Sequence, residues 1–148
     1  MLQPLREPAA LSWWPPAPGW WVLAALLLAL IVALLRMLLK KYRAGAALRE
    51  ARKTIKQLRE QDLAPQALSR ELSQLQRQLG IALRGRSACA GLSGEDWRGF
   101  LNSLGRNGEE YFEPQLMDLP YRPSVDPADS EELLAATERW VRDLRAAA

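Results

Sequence analysis

The sequence predicts an all-α protein: one N-terminal transmembrane helix, then a small helical domain of about four helices with one long ordered loop. Three observations carry that prediction. No residue from Pro8 to Leu35 is charged. Beyond residue 42, apolar residues recur at spacings of three and four, the repeat of an amphipathic helix. Prolines and glycines (Pro65, Gly85, Gly105, Pro127) stand where those periodic stretches begin and end.

The first element is the anchor. Trp20 to Leu35 is almost wholly Leu, Ala, Ile and Val, and Met37, Leu38 and Leu39 extend the run past Arg36 to Lys40 and Lys41. Twenty residues at about 1.5 Å each cover roughly the 30 Å of a bilayer's hydrocarbon core. No face of the segment is polar, so it does not read as the core helix of a soluble domain. Trp13, Trp14, Trp20 and Trp21 at one end, and Arg36, Lys40, Lys41 and Tyr42 at the other, are the expected membrane-interface residues. Aromatic rings favour headgroup depth, and long cations extend out to it. Pro15, Pro16 and Pro18 hold the leader extended and delay the helix to about Gly19.

Direction follows from charge. Arg36, Lys40, Lys41, Arg43, Arg49, Arg52, Lys53 and Lys56 follow the apolar run, and only Arg6 precedes it. The positive-inside rule then places residues 1–19 outside and the C-terminal domain in the cytoplasm. A cleaved signal peptide carries its charge before the apolar run, which is the opposite arrangement. The expected arrangement is therefore a membrane crossed once. The divisions are a Pro/Trp-rich leader (1–19), the transmembrane helix (20–41), a basic juxtamembrane helical hairpin (42–86) and an acidic helical region (87–148) in the same cytoplasmic domain.

Within the hairpin, Leu48, Ala51, Ile55 and Leu58 give a narrow apolar stripe on a basic helix that runs to about Gln61. Pro65 fits the first turn of a second helix. Its Leu68, Leu72, Leu75 and Leu79 form a heptad-like seam under three heptads long, suited to packing on the preceding helix and a candidate for self-association. Gly85 to Gly94 reads as a loop. Ser93-Gly94-Glu95-Asp96 resembles a capping box for a short helix carrying Trp97, Phe100, Leu101 and Leu104, stopped by Gly105. Arg106 to Val125, with three prolines, reads as an ordered loop. Asp126 caps a last helix with Pro127 in its first turn and Leu133, Leu134, Thr137, Trp140, Val141 and Leu144 on its buried stripe. Glu138 and Arg142 are spaced to pair along it.

Composition excludes much chemistry. Of 148 residues none is histidine, and one is cysteine, so the commonest general base and metal ligand is missing and no internal disulfide can form. Cys89 reads as a small apolar filler. No phosphate-binding glycine loop or nucleophile elbow is present. Glu95-Asp96 and Glu109-Glu110 are sequence neighbours whose side chains diverge on a helix, so they do not make an acid/base pair. An enzyme is not expected, nor is a cofactor or metal. The net charge of +3 hides a division: Arg36 to Arg86 holds 13 Lys/Arg against 4 Asp/Glu, and Ser87 onward holds 6 against 12. The basic half lacks interleaved aromatics and lies next to the bilayer, so no nucleic-acid partner is expected.

Three segments carry a resemblance. They are Trp13-Trp14-Pro15-Pro16-Ala17-Pro18-Gly19-Trp20-Trp21 before the apolar helix, Gly91-Leu92-Ser93-Gly94-Glu95-Asp96-Trp97 followed by Phe100-Leu101, and Leu119-Pro120-Tyr121-Arg122-Pro123 before a Trp140-containing helix. In order and spacing the chain resembles small bacterial single-pass inner-membrane proteins of unknown function encoded beside MoxR-type AAA+ ATPases and von Willebrand factor A domain proteins. Asp96, where that family often has a small residue, is a departure that touches helix capping only. The resemblance implies an accessory subunit of a membrane-associated ATPase system acting in chaperone-like maturation or envelope stress, with no catalytic residues to carry over.

The function expected is thus a non-enzymatic membrane-anchored adaptor, with the lipid bilayer and an AAA+ ATPase or von Willebrand factor A protein as partners. Gly91, Leu92, Ser93, Gly94, Trp97, Phe100, Leu119, Pro120, Tyr121, Arg122 and Pro123 are its candidate partner contacts. The alternative is a self-assembling structural or regulatory membrane protein, a homo-oligomer joined through Leu68, Leu72, Leu75 and Leu79.

Overall fold

The computed structural model describes residues 18–105 and 108–144, and the described residues form helices, turns and loops without a strand. The chain divides into two compact units, up to Leu38 and from Leu39 onward. Helix α1 (Pro18–Glu60) contributes to both.

In the first unit, every side chain described from Gly19 to Leu38 is exposed, including Leu26, Leu27, Leu30, Ile31 and Leu34. The helix is long and apolar enough to cross a membrane, with an 18-residue window reaching a mean hydropathy of 2.9 and none of it buried against protein. Fully covering a Leu or Ile gains about 1.5–3 kcal/mol. A helix apolar on all faces and covered on none is a stable arrangement in lipid and an unstable one in water.

In the second unit the rest of α1 is amphipathic. Ala44, Leu48, Ala51, Ile55 and Leu58 are buried, and the Arg and Lys residues between them are exposed. Residues 61–64 turn the chain into α2 (Pro65–Arg84), with Pro65 at its first position. That position needs no N–H donor, so proline starts the helix at no loss. Helix α2 is the hub of the domain. It buries Leu68, Leu72, Leu75, Leu79 and Leu83, and also Ser69, Gln76 and Gly80 on an adjoining row. Two buried rows mean neighbours on two sides. Residues of α1 and α2 line a common groove on one, and α2 packs on residues 86–104, residues 119–121 and the last helix on the other. Gly85 ends α2 at a φ of 93°, a left-handed conformation open to glycine at no steric penalty.

The stretch expected to be a loop from Gly85 to Gly94 contains a single helical turn, α3 (Arg86–Cys89). The expected capping box before α4 (Gly94–Leu104) is absent: Ser93 makes no side-chain cap hydrogen bond, and the helix begins on Gly94 at a φ of 54°. Its neighbour Glu95 pairs with Arg98 one turn on. Gly105 does end α4, where an added Cβ would run into the Tyr111 ring.

The proline-rich stretch beyond is ordered by anchors rather than by periodicity. Tyr111, Phe112, Leu116 and Leu119 are buried, and around them form the short helix α5 (Pro114–Met117) and a 3-10 turn (Leu119–Tyr121). Helix α6 (Pro127–Asp143) starts as expected, with the Asp126 carboxylate accepting from the Ala128 N–H at 3.1 Å. All six stripe residues from Leu133 to Leu144 are buried. Glu138 does not pair along its own helix with Arg142. It takes Arg59 of α1 at 2.8 Å, because Arg59 reaches it from the neighbouring helix.

Candidate interaction surface

Among the expected membrane-interface residues, Trp20, Trp21, Arg36, Lys40, Lys41 and Tyr42 are all exposed. Trp13 and Trp14, with the rest of residues 1–17, lie outside the described residues.

The four seam leucines sit elsewhere than a seam between copies requires. Leu68, Leu72, Leu75 and Leu79 are inside the core of a single chain, and Leu72 is wholly inaccessible. A leucine already covered by its own fold has no apolar surface left for a second copy.

The expected partner-contact residues divide into core and surface. In the first segment, Trp97 is buried and Phe100 half-buried, their rings stacked with centroids 5.5 Å apart. Both pack on Gly80 of α2, where a Cβ would lie 3.1 Å from Trp97 and 3.2 Å from Phe100. Their role is to close α4 onto α2. Leu92 is half-buried, and Gly91, Ser93 and Gly94 are exposed.

In the second segment Leu119 is buried and Pro120 half-buried, while Tyr121, Arg122 and Pro123 are exposed. Tyr121 is the outlier. It is 76% exposed, more than any other large hydrophobic side chain described, the apolar span included. Its backbone is nevertheless pinned. The Tyr121 N–H donates to Asp118 at 3.0 Å, Arg122 N–H to Leu119 at 3.2 Å, and the Gln66 side-chain amide to the Pro120 carbonyl at 3.4 Å.

Beside this turn lies an open groove of about 540 Å³ between the turn and α2. Its walls carry Arg70, Arg77, Pro120 and Tyr121, with Glu71, Ser73 and Gln74. The Arg77 guanidinium stacks over the Trp97 ring, 5.2 Å from its centroid. The sequence reading singled out neither arginine. Their seven-residue spacing on α2, which puts them on one face, was the available signal.

One carboxylate of each adjacent pair, Glu95 and Glu110, is held by the same cation. Arg98, mostly buried, holds Glu95 at 2.7 Å and Glu110 at 3.6 Å and reaches the Phe112 carbonyl at 3.4 Å. The Glu95 hydrogen bond is the main cause of its raised pKa. One cation thereby ties α4 to the segment after it. Cys89 is buried, and that burial raises its thiol pKa against the smaller opposing pull of Arg77. No group of three or more Cys, Asp or Glu among the described residues is placed to hold a metal.

The family model described as Domain of unknown function (DUF4381) matches residues 1–143. The chain belongs to that family. No curated protein and no solved structure matches it. Membership in DUF4381 covers the apolar helix and the helical domain together, so the pairing of the two is a feature of the family's own extent.

Proposed function

We propose that this protein is a non-enzymatic adaptor anchored by α1 in a bacterial inner membrane, an accessory subunit of a MoxR-type AAA+ ATPase or von Willebrand factor A protein system. The observation that carries the reading is the helix from Gly19 to Leu38, uncharged as far as Leu35 and exposed on every face, on a chain that also builds a closed helical core. Such a chain has a place to be and a folded surface to present there. The basic residues that follow the span set the domain on the cytoplasmic side. The resemblance of the three sequence segments supplies the class of partner. The self-assembly reading is weaker, because the seam it relies on is inside the fold.

Co-purification tests the proposal. The tagged full-length protein is isolated from native membranes in mild detergent, and bound proteins are identified by mass spectrometry. An AAA+ ATPase or a von Willebrand factor A protein is expected, and its recovery is expected to fall with Tyr121→Ala, an exposed residue whose loss leaves the core intact. Recovery of the protein alone across several detergents would overturn the adaptor reading.

A further inference from the structure

We infer that the groove between α2 and the Leu119–Tyr121 turn is a docking site for an acidic, extended segment of a partner protein, held by Arg70 and Arg77 and covered by the Tyr121 ring. The inference rests on the adaptor reading and names the chemistry of its contact.

Charge decides the occupant. Among the described residues neither Arg70 nor Arg77 has a carboxylate within ion-pair distance, and the one acidic side chain in the groove is Glu71. The groove between α1 and α6 is also lined by basic residues, but there Arg59 bridges to Glu138 at 2.8 Å and Lys56 to Glu60 at 4.0 Å. Arg52 and Arg142 of that groove have no carboxylate within ion-pair distance among the described residues either, but no aromatic side chain lines it, whereas the α2 groove sets the exposed Tyr121 ring beside its two unpaired arginines. Arg77 is moreover held in place by the Trp97 ring beneath it, so less side-chain freedom is lost when a carboxylate arrives.

The aromatic wall supports the same occupant. An exposed tyrosine on a pinned backbone presents a large contact area with few torsions to freeze, the property that concentrates binding energy at such residues. The Tyr121 turn is pinned by Leu119 in the core and by the Gln66 bond to Pro120.

Spacing narrows the ligand. Arg70 and Arg77 are seven residues apart, about 10 Å along the helix. An extended polyproline-II chain advances about 3.1 Å per residue and brings every third side chain to one face. Two acidic side chains about three residues apart match the two arginines, and a proline or apolar residue between them can lie against Tyr121.

The probe is a fluorescein-labelled peptide with glutamates at positions i and i+3 and a proline between them, titrated against the full-length protein in uncharged detergent and read by fluorescence anisotropy. Saturable binding is expected, weakened at least ~10-fold by Arg70→Glu and by Tyr121→Ala, with both variants keeping the wild-type melting temperature. A peptide with lysines for the glutamates is expected to bind only the Arg70→Glu, Arg77→Glu double variant. No binding of the acidic peptide, or binding indifferent to Arg70→Glu and Tyr121→Ala, would overturn the inference. So would displacement of the peptide by phosphatidylglycerol micelles but not by unlabelled peptide, which assigns the arginines to lipid. Failure of the adaptor reading looks different: the peptide binds, yet no ATPase or von Willebrand factor A protein co-purifies.

Discussion

Gln76 on α2 donates its side-chain amide to the Thr137 hydroxyl on α6 at 3.0 Å, and that hydroxyl in turn donates to the Leu133 carbonyl at 2.8 Å. Both side chains are buried, so this is a polar relay inside an apolar interface. Thr137→Val keeps the shape and removes the acceptor, leaving the Gln76 amide without its partner. A loss of about 1–3 kcal/mol is expected by denaturant titration. Adding Gln76→Leu removes the stranded donor and is expected to recover part of that loss. Additive losses in the double variant would show that the two residues are not coupled.

Trp140 is the largest side chain wholly inside the domain, and its indole N–H donates to the Leu101 carbonyl of α4 at 2.8 Å. Phe112 meets it edge-on at 5.7 Å between centroids. One residue thus joins α6, α4 and the segment before α5. Trp140→Ala is expected to cost about 3–5 kcal/mol, enough to unfold a domain of this size. Trp140→Phe keeps most of the apolar contact but strands the carbonyl, and is expected to cost less. Thermal melts of the two variants check the order.

The long elements were legible in sequence because each buries a periodic stripe. Leu48 to Leu58 and Leu133 to Leu144 are buried as their spacing predicts, and Pro65 and Asp126 mark the starts of α2 and α6. The one-turn elements were not. Helices α3 and α5 have four residues each, too few for a period, and they form because Cys89, Leu116 and Leu119 find places in a core that other segments build. Glu138 was misassigned for a similar reason, since spacing along a helix says nothing of Arg59 on a neighbour. The candidate surface was legible by half. Exposure separates Tyr121 from the buried Trp97, although both are aromatics in polar stretches, and only the fold shows Arg70 and Arg77 beside Tyr121.

Gly80 is a helical glycine set by space. A Cβ there would lie 3.1 Å from Trp97, 3.2 Å from Phe100 and 3.5 Å from the Cys89 sulfur. The two rings are stacked on one another and cannot both withdraw. Gly80→Val is expected to cost about 1–3 kcal/mol through overpacking, although most substitutions for glycine favour a helix interior. A red shift and quenching of tryptophan emission should accompany it as Trp97 is displaced toward water. Unchanged stability would mean that α4 moves off α2 without loss.

Cys89 reacts as a thiolate, and burial holds its pKa above the ordinary 9.0, with Arg77 opposing weakly. The folded state therefore keeps its proton at a pH where the unfolded chain releases it. This contribution to stability is full below pH 9.0 and is lost as pH rises beyond it. Maleimide labelling at pH 7 is expected to be at least ~10-fold slower in the folded protein than in denaturant, since both burial and protonation protect the thiol. Equal rates would place Cys89 outside the core. Topology mapping consequently calls for Ser87→Cys, at an exposed position of α3, in a Cys89→Ala background. Membrane-impermeant maleimide is expected to label it only after permeabilisation, and labelling in intact cells would reverse the orientation.

Leu27 and Leu30 lie near the middle of the apolar run and are exposed in the structure. Their exposure has opposite consequences in the two candidate solvents. On a helix surrounded by water, replacing an exposed leucine with arginine changes stability by about 0.5 kcal/mol or less. On a helix crossing a bilayer, an arginine near its centre costs about 2.5–3.5 kcal/mol in insertion, and two in one span multiply that effect on the equilibrium constant. The Leu27→Arg, Leu30→Arg variant is therefore expected to leave the alkaline-carbonate-resistant membrane fraction in which the wild-type protein remains. Arg36 already stands in the same helix, but near the end of the run, where its side chain extends to the headgroups. A double variant that stays in the resistant fraction as fully as wild type would show that something other than the hydrocarbon core covers this helix, and would remove the anchor from the functional reading.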